Sequence, residues 1–306
     1  MAQQVGFIGL GAMGAAMARN LVKAGFAVRG YDVRPEAVAQ LAADGGEAAA
    51  TPAAAAAGAD LLIVIVFTAA QAEQVLFGED GAVPALPAGA TVAMNTTMAP
   101  GQSQALEARL AETGHRMIDA PVTGGVMGAE AGTLTFIASG SGEAMAAAAA
   151  AFEVMGAKVA HCGDRAGLGS TVKMINQMLC GVQVAITAEG IALAARAGAD
   201  PNVVFDVIRS GAANSFVWEN RVPTIIAGDY TPRGVVEIFT KDLDIVLQAG
   251  KALSFPLPLT AAALQQFLAA ESLGHGREDD SAVVKIYEQL GGVDVAAAAK
   301  KRAGDD

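Results

Sequence analysis

The sequence predicts an α/β domain built on a doubly wound parallel sheet, followed by an all-α domain. Three observations predict it. Short apolar runs alternate with helix-like segments from residue 4 to residue 163. A glycine cluster, GLGAMG, closes the first of these runs. Past Gly163 the strand-length runs stop and only helical stretches follow.

The elements follow in order. QVGFIGL (4–10) reads as the first strand, and 12–24 as a helix stopped by Gly25. FAVRGYDV (26–33) is a second strand, with Pro35 placed to open the next helix. DLLIVIVF (60–67), a helix around 71–77, ATVAMNTT (90–97), a helix around 101–113 and HRMIDAPV (115–122) continue the alternation. GTLTFIASG (132–140) and AKVAHCG (157–163) read as the last strands of the same sheet, with an alanine-rich helix between them. Apolar strands separated by helices imply parallel pairing, with helices on both faces. The division predicted is 1–163 for the α/β domain and 164–306 for the helical domain, entered by a long interdomain helix from about Gly167. GADP, GDYTP, FPLPL and LGHGRED punctuate the helical part.

With 306 residues, 53% of them hydrophobic, the chain can fill two cores. A net charge of −11 argues against nucleic acid, whose phosphates need clustered Lys and Arg. The first apolar stretch is broken by glycines from Gly6 to Gly14, so no leader is read there and a cytoplasmic location is expected. Met174–Ala195 is long and apolar, but Asn176, Gln177, Gln183 and Glu189 interrupt it; it reads as a core helix rather than a membrane span. Cys162 and Cys180 form no CxxC pair and read as reduced, inert thiols. His115, His161 and His275 have no metal spacing.

Gly9, Leu10, Gly11, Ala12, Met13 and Gly14 form a G-x-G-x-x-G turn between the first strand and the first helix. The first glycine permits the tight turn, the second lets a pyrophosphate approach the backbone, and the third allows close helix packing. Asp32, at the end of the second strand, is placed to accept from ribose hydroxyls, which points to NAD on a Rossmann-type domain. Arg34 offers a competing site for a 2′-phosphate.

Thr123, Gly124 and Gly125 form either an anion-binding turn for a substrate carboxylate or a plain loop. Thr96 and Thr97 face the ligand-binding end of the sheet or cap the helix near Pro100. Lys173 on its apolar helix either snorkels to water or borders an interdomain cleft, where an amine can exchange a hydroxyl proton. Asn176, three residues on, shares its face. Taken alone, Lys241 in FTKDLDIV reads as a surface lysine.

Together, GFIGLGAMG, DAPVTGG with GAEAGTL, GLGSTVKMINQ and KDL resemble the β-hydroxyacid dehydrogenase family over essentially the whole chain. The resemblance implies an NAD-dependent oxidoreductase acting on a small hydroxyacid. It makes Lys173 the catalytic lysine, Asn176 its partner, and Thr123, Gly124 and Gly125 the substrate-carboxylate loop. Thr97 and Lys241 become cofactor contacts. The chain departs from the family at Gln177, where a second Asn is usual, at Thr123, where Ser is usual, and at VFTAAQAEQVLFG after the third strand. That segment, with SFVWENRVPTIIAGDYTP and GREDDSAVVKIY, is similar to a subgroup oxidising C2 of a four-carbon sugar acid. Such a substrate needs polar partners beyond its carboxylate, and Asn176, Gln177, Asn214 and Ser215 are the candidates. A homodimer or homotetramer joined through the helical domain is expected, with no nucleic-acid or membrane partner.

Overall fold

Successive residues of a strand point to opposite faces, and where helices cover both faces, as over 5–8, 61–64 and 91–94, the apolar runs are buried throughout. A computed structural model describes residues 3–301. Its elements run β1 (Gln4–Ile8), α1 (Ala12–Lys23), β2 (Ala27–Tyr31), α2 (Pro35–Ala43), β3 (Glu47–Ala48), α3 (Pro52–Ala56), β4 (Leu61–Val64), α4 (Ala69–Phe77), β5 (Thr91–Met94), α5 (Pro100–Glu112) and β6 (Arg116–Asp119). The six strands form one parallel sheet in the order β3-β2-β1-β4-β5-β6. Val5, Phe7, Leu61, Ile63 and Ala93 enter one core, while Ile8, Leu62, Val64, Val92 and Met94 enter the other. The doubly wound sheet is the one expected. The short exposed β3 carries no apolar periodicity and escaped the sequence reading.

One expectation is corrected. The segments 132–140 and 157–163 do not extend this sheet. HRMIDAPV breaks at Ala120 and Pro121, and the chain continues as β7 (Val122–Thr123), α6 (Gly125–Ala131), β8 (Leu134–Ala138), α7 (Gly142–Met155) and β9 (Gly156–His161). β7, β8 and β9 form a separate three-stranded sheet, with β7 antiparallel to β8. Pro121 has no N–H to continue a ladder, so the turn after β6 redirects the chain. An isolated bridge, Asp119 with Ser139, joins the two sheets.

The long helix α8 (Leu168–Arg196) follows, then α9 (Pro201–Arg209), α10 (Phe216–Ala227), α11 (Val236–Ala252), α12 (Pro258–Ala270), α13 (Val284–Gly291) and α14 (Val295–Lys300). The chain divides into two compact units within α8, one ending at Met174 and the other beginning at Ile175. Residues 164–174, assigned to the helical segment in the sequence reading, pack with the first unit because their amides bond to its strands.

In the second unit Val184, Ala185, Ala188, Ile191 and Ala192 of α8 pack with Trp218, Phe239, Leu243 and Phe267. The helix is not a fully buried one. Ile175, Leu179, Ile186 and Leu193 stand exposed at four- and seven-residue spacings, one apolar stripe along its length. By length and composition alone α8 could cross a membrane; its other face fills a protein core. Arg221 of α10 donates from Nε and Nη2 to the buried Asp280, at 2.5 and 2.9 Å.

Candidate active site

The glycine turn lies at the carboxyl end of β1, where strand order reverses between β1 and β4. That reversal is where open α/β sheets bind ligands. Gly9 has φ +98°, and a Cβ there would meet the Ile65 carbonyl oxygen at 2.0 Å. A Cβ on Gly14 would sit 1.9 Å from the Gly9 oxygen. Backbone packing therefore demands both. At Gly11 no atom lies within 4 Å of where a Cβ would be, so the protein itself does not require glycine. The missing side chain leaves open space against the N-terminus of α1, whose cap position, Gly11, makes no side-chain bond. Unsatisfied amides facing open space fit a pyrophosphate.

Asp32 follows β2 directly. Its Oδ2 accepts from the Leu10 amide at 2.7 Å, and its Oδ1 from the amide and Nε of Arg34 at 2.9 and 3.1 Å. Burial pushes this carboxyl up, but the hydrogen bonds from Arg34 and Leu10 outweigh it and hold it below the usual range. Arg34 Nη2 also donates to the Leu10 carbonyl at 3.0 Å. The guanidinium that offered to hold a 2′-phosphate thus bonds the turn through Nε and Nη2.

Neither threonine caps α5. Thr96 Oγ1 accepts from the Val66 amide at 2.9 Å and ties β5 to β4, whereas the cap is Ala99 with the Gln102 side chain. Thr97 is half-buried beside it. Thr123 ends β7, and Gly124 and Gly125 take φ of +128° and +64°, values that favour glycine. Nothing lies within 4 Å of a Cβ at Gly125, leaving room there.

Lys173 lies in the second turn of α8 and is only 8% exposed, so it does not snorkel to water. Asn176 Nδ2 donates to Gln177 Oε1 at 2.9 Å, and Gln177 Nε2 to Asp242 Oδ2 at 2.5 Å. Asp242 also accepts from Lys241 Nζ. One carboxylate thereby gathers Asn176, Gln177 and Lys241, and Lys241 is ion-paired rather than a plain surface lysine. Asn214 and Ser215 are not in this chain of bonds. Ser215 Oγ caps α10 by accepting from Trp218 N at 3.0 Å. Asn214 Nδ2 donates to Glu219 at 2.7 Å, while its Oδ1 is buried with no partner.

Known proteins match the chain along most of its length. The NAD binding domain of 6-phosphogluconate dehydrogenase matches residues 4–163, and a model described as NAD-binding of NADP-dependent 3-hydroxyisobutyrate dehydrogenase matches 167–287. L-threonate dehydrogenase of Cupriavidus necator is 47% identical over 287 residues, covering 94% of this chain and 97% of that protein. The chain belongs to the β-hydroxyacid dehydrogenase family. A second such relative, L-threonate dehydrogenase of Escherichia coli K12, is 45% identical over 94% of this chain and 95% of its own. A crystal structure from Salmonella typhimurium, described as 3-hydroxyisobutyrate dehydrogenase, superposes with a TM-score of 0.87 at 43% identity, over 93% of this chain and 99% of that one. The protein is thus an NAD-dependent hydroxyacid dehydrogenase by family.

Two residues of this β-hydroxyacid dehydrogenase escaped the sequence reading although both sit in segments it singled out. Asp119 opens DAPVTGG at the end of β6, and Ser139 ends GTLTFIAS. The available signal was an ionisable side chain in an otherwise apolar strand, which must find partners once buried. Cys162 is unpaired; burial, then the nearby Asp119 carboxylate, pushes its thiol up, consistent with an unreactive cysteine.

Proposed function

We propose that this protein oxidises the C2 hydroxyl of L-threonate with NAD to give 2-dehydro-L-erythronate. The observation that carries this reading is a gap in similarity. Five L-threonate dehydrogenases are 41–47% identical over nearly the full length, against 33% for 3-hydroxyisobutyrate dehydrogenase of Pseudomonas aeruginosa. The second reading, 3-hydroxyisobutyrate as substrate, is favoured by the description of the Salmonella structure.

In this reading Gly9, Leu10, Gly11, Ala12, Met13 and Gly14 hold the pyrophosphate and Asp32 the ribose, with Thr97 and Lys241 as further cofactor contacts. NAD supplies the hydride acceptor when bound. Thr123, Gly124 and Gly125 take the substrate carboxylate. Lys173 accepts the hydroxyl proton as hydride leaves C2, and returns it in the reverse direction. Asn176 orients that exchange. Among the residues offered for the remaining hydroxyls, Gln177 has both ends of its amide engaged and Ser215 Oγ serves its helix. Asn214 Oδ1 is the acceptor best able to take a new hydroxyl.

The subunits associate as a dimer or tetramer through the exposed apolar stripe of α8, the face a cytoplasmic protein has most reason to cover. No nucleic-acid or membrane partner enters this reading. Sedimentation of the wild type as an oligomer, and of Leu179→Glu with Ile186→Glu as a smaller species, is the expected result; a wild-type monomer contradicts it.

The test is NADH formation with L-threonate, D-threonate, D-glycerate, 3-hydroxyisobutyrate and 4-hydroxybutyrate, each with NAD and with NADP. The highest kcat/KM is expected for L-threonate with NAD, and in Asn214→Leu the margin over 3-hydroxyisobutyrate narrows. Preference for another acid overturns the substrate assignment.

A further inference from the structure

We propose that Asp119, acting with Ser139 and Ser170, is a positioning residue for the reaction: it locks the first turn of α8 to the junction of the two sheets and so fixes where Lys173 is presented. The proposal rests on the reading of Lys173 as the acid/base. Every atom of this clamp lies between residues 119 and 170, in the unit that also contains Lys173.

A helix start leaves amides without intrahelical partners, and they are usually met by the residue just ahead of the helix. At α8 they are met from a distance. Asp119 Oδ2 accepts from Gly167 N at 2.9 Å and Ser170 N at 2.8 Å, and its Oδ1 accepts from Ser170 Oγ at 2.7 Å. Ser139 Oγ accepts from Gly169 N at 2.9 Å. A local cap moves with its own helix. Caps contributed by β6 and by the end of β8 instead fasten the helix to the sheets, in rotation as well as in height.

The clamp is itself fixed. Asp119 and Ser139 exchange backbone hydrogen bonds of 2.9 and 2.8 Å, the bridge that joins the sheets. Behind the turn, a Cβ on Gly169 would lie 2.5 Å from the Ile137 oxygen and 2.6 Å from the Asp119 oxygen, so the helix rests on carbonyls from both sheets. These contacts account for Gly169 and Ser170 of GLGSTVK, and Gly167 takes φ +92°, which favours glycine. Asp119, Ser139 and Ser170 are all buried. A carboxylate against a helix N-terminus also complements the helix dipole. Ser170 and Lys173 are three residues apart and share a helix face, so tilting the first turn moves the lysine.

Misplacing a catalytic group by about 1 Å costs about a hundredfold in rate. Ser170→Ala and Ser139→Ala each delete one hydroxyl of the clamp, and Asp119→Asn replaces an acceptor with a donor. They are compared with Leu110→Ala, a buried change on α5 in the same unit. The readouts are kcat, KM, NAD binding, melting temperature and the primary deuterium isotope effect on kcat, with substrate labelled at the oxidised carbon. Ser170→Ala is expected to lower kcat by about ten- to a hundredfold, with KM and NAD binding within about threefold of wild type and a larger isotope effect. Leu110→Ala loses melting temperature while keeping kcat. Should Asp119→Asn fail to fold, the two serine variants still decide.

Serine variants that lose melting temperature but keep kcat and the isotope effect overturn the proposal, leaving the clamp a plain anchor. Lys173→Ala run alongside separates the two layers. If it is inactive while Ser170→Ala works at full rate, only the positioning role fails; if it works at full rate, the acid/base reading fails and the positioning role with it.

Discussion

Lys173→Ala is expected to bind NAD as the wild type does and to oxidise its substrate about 10²- to 10⁴-fold more slowly, the range a positioned acid/base contributes. The expectation follows from placement. Lys173 is buried in the second turn of α8, in the same unit as the Gly9/Gly11/Gly14 turn and the Thr123 loop, and its loss removes the group proposed to take the hydroxyl proton. Lys173→Arg sharpens the test, because a guanidinium keeps the charge but stays protonated and cannot accept a proton. It should be as slow as alanine. Steady-state rates with NAD titrated separately check both. An alanine variant at wild-type rate would remove the lysine from the mechanism.

The largest expected effect on stability comes from Arg221→Met. Arg221 makes two hydrogen bonds to Asp280, which is almost wholly buried beside the fully buried Asp279. Deleting the guanidinium strands a buried carboxylate, at about 3–5 kcal/mol. The loss depends on pH. Burial pushes the Asp280 carboxyl up to about 6, against the pull of Arg221. A carboxyl raised in the fold contributes stability below its unfolded value and loses it as pH rises through the folded one. Without Arg221 the folded value climbs further, so the deficit is larger at pH 8 than at pH 5, where Asp280 carries a proton. Urea unfolding at the two pH values measures the difference. Equal losses at both would show that Asp280 is not the group left stranded.

Where one physical rule dominated, the sequence was legible. The apolar runs of β1, β4 and β5 could only be strands buried on both faces, and the G-x-G-x-x-G spacing placed a turn whose first and third glycines the backbone requires. What it hid was long-range. Nothing local distinguishes a strand that extends the main sheet from one that starts another, so the apolar pattern alone joins β8 and β9 to the main sheet, whereas the chain turns away at Pro121. The stripe of α8 looked like core because composition cannot tell a helix buried all round from one with an uncovered face. Gln177 and Lys241 looked independent at a separation of 64 residues, yet both bond to Asp242. Asp119 and Ser170 are likewise far apart in the chain and joined only by the fold.

Substrate identity rests on similarity to relatives, and the reaction itself can be observed directly by incubating L-threonate deuterated at C2 with NAD and the wild-type protein. The account predicts NAD-dependent turnover with deuterium transferred to the nicotinamide ring, and a 2-keto four-carbon acid as product. No transfer from L-threonate, alongside transfer from C3-deuterated 3-hydroxyisobutyrate, would contradict it.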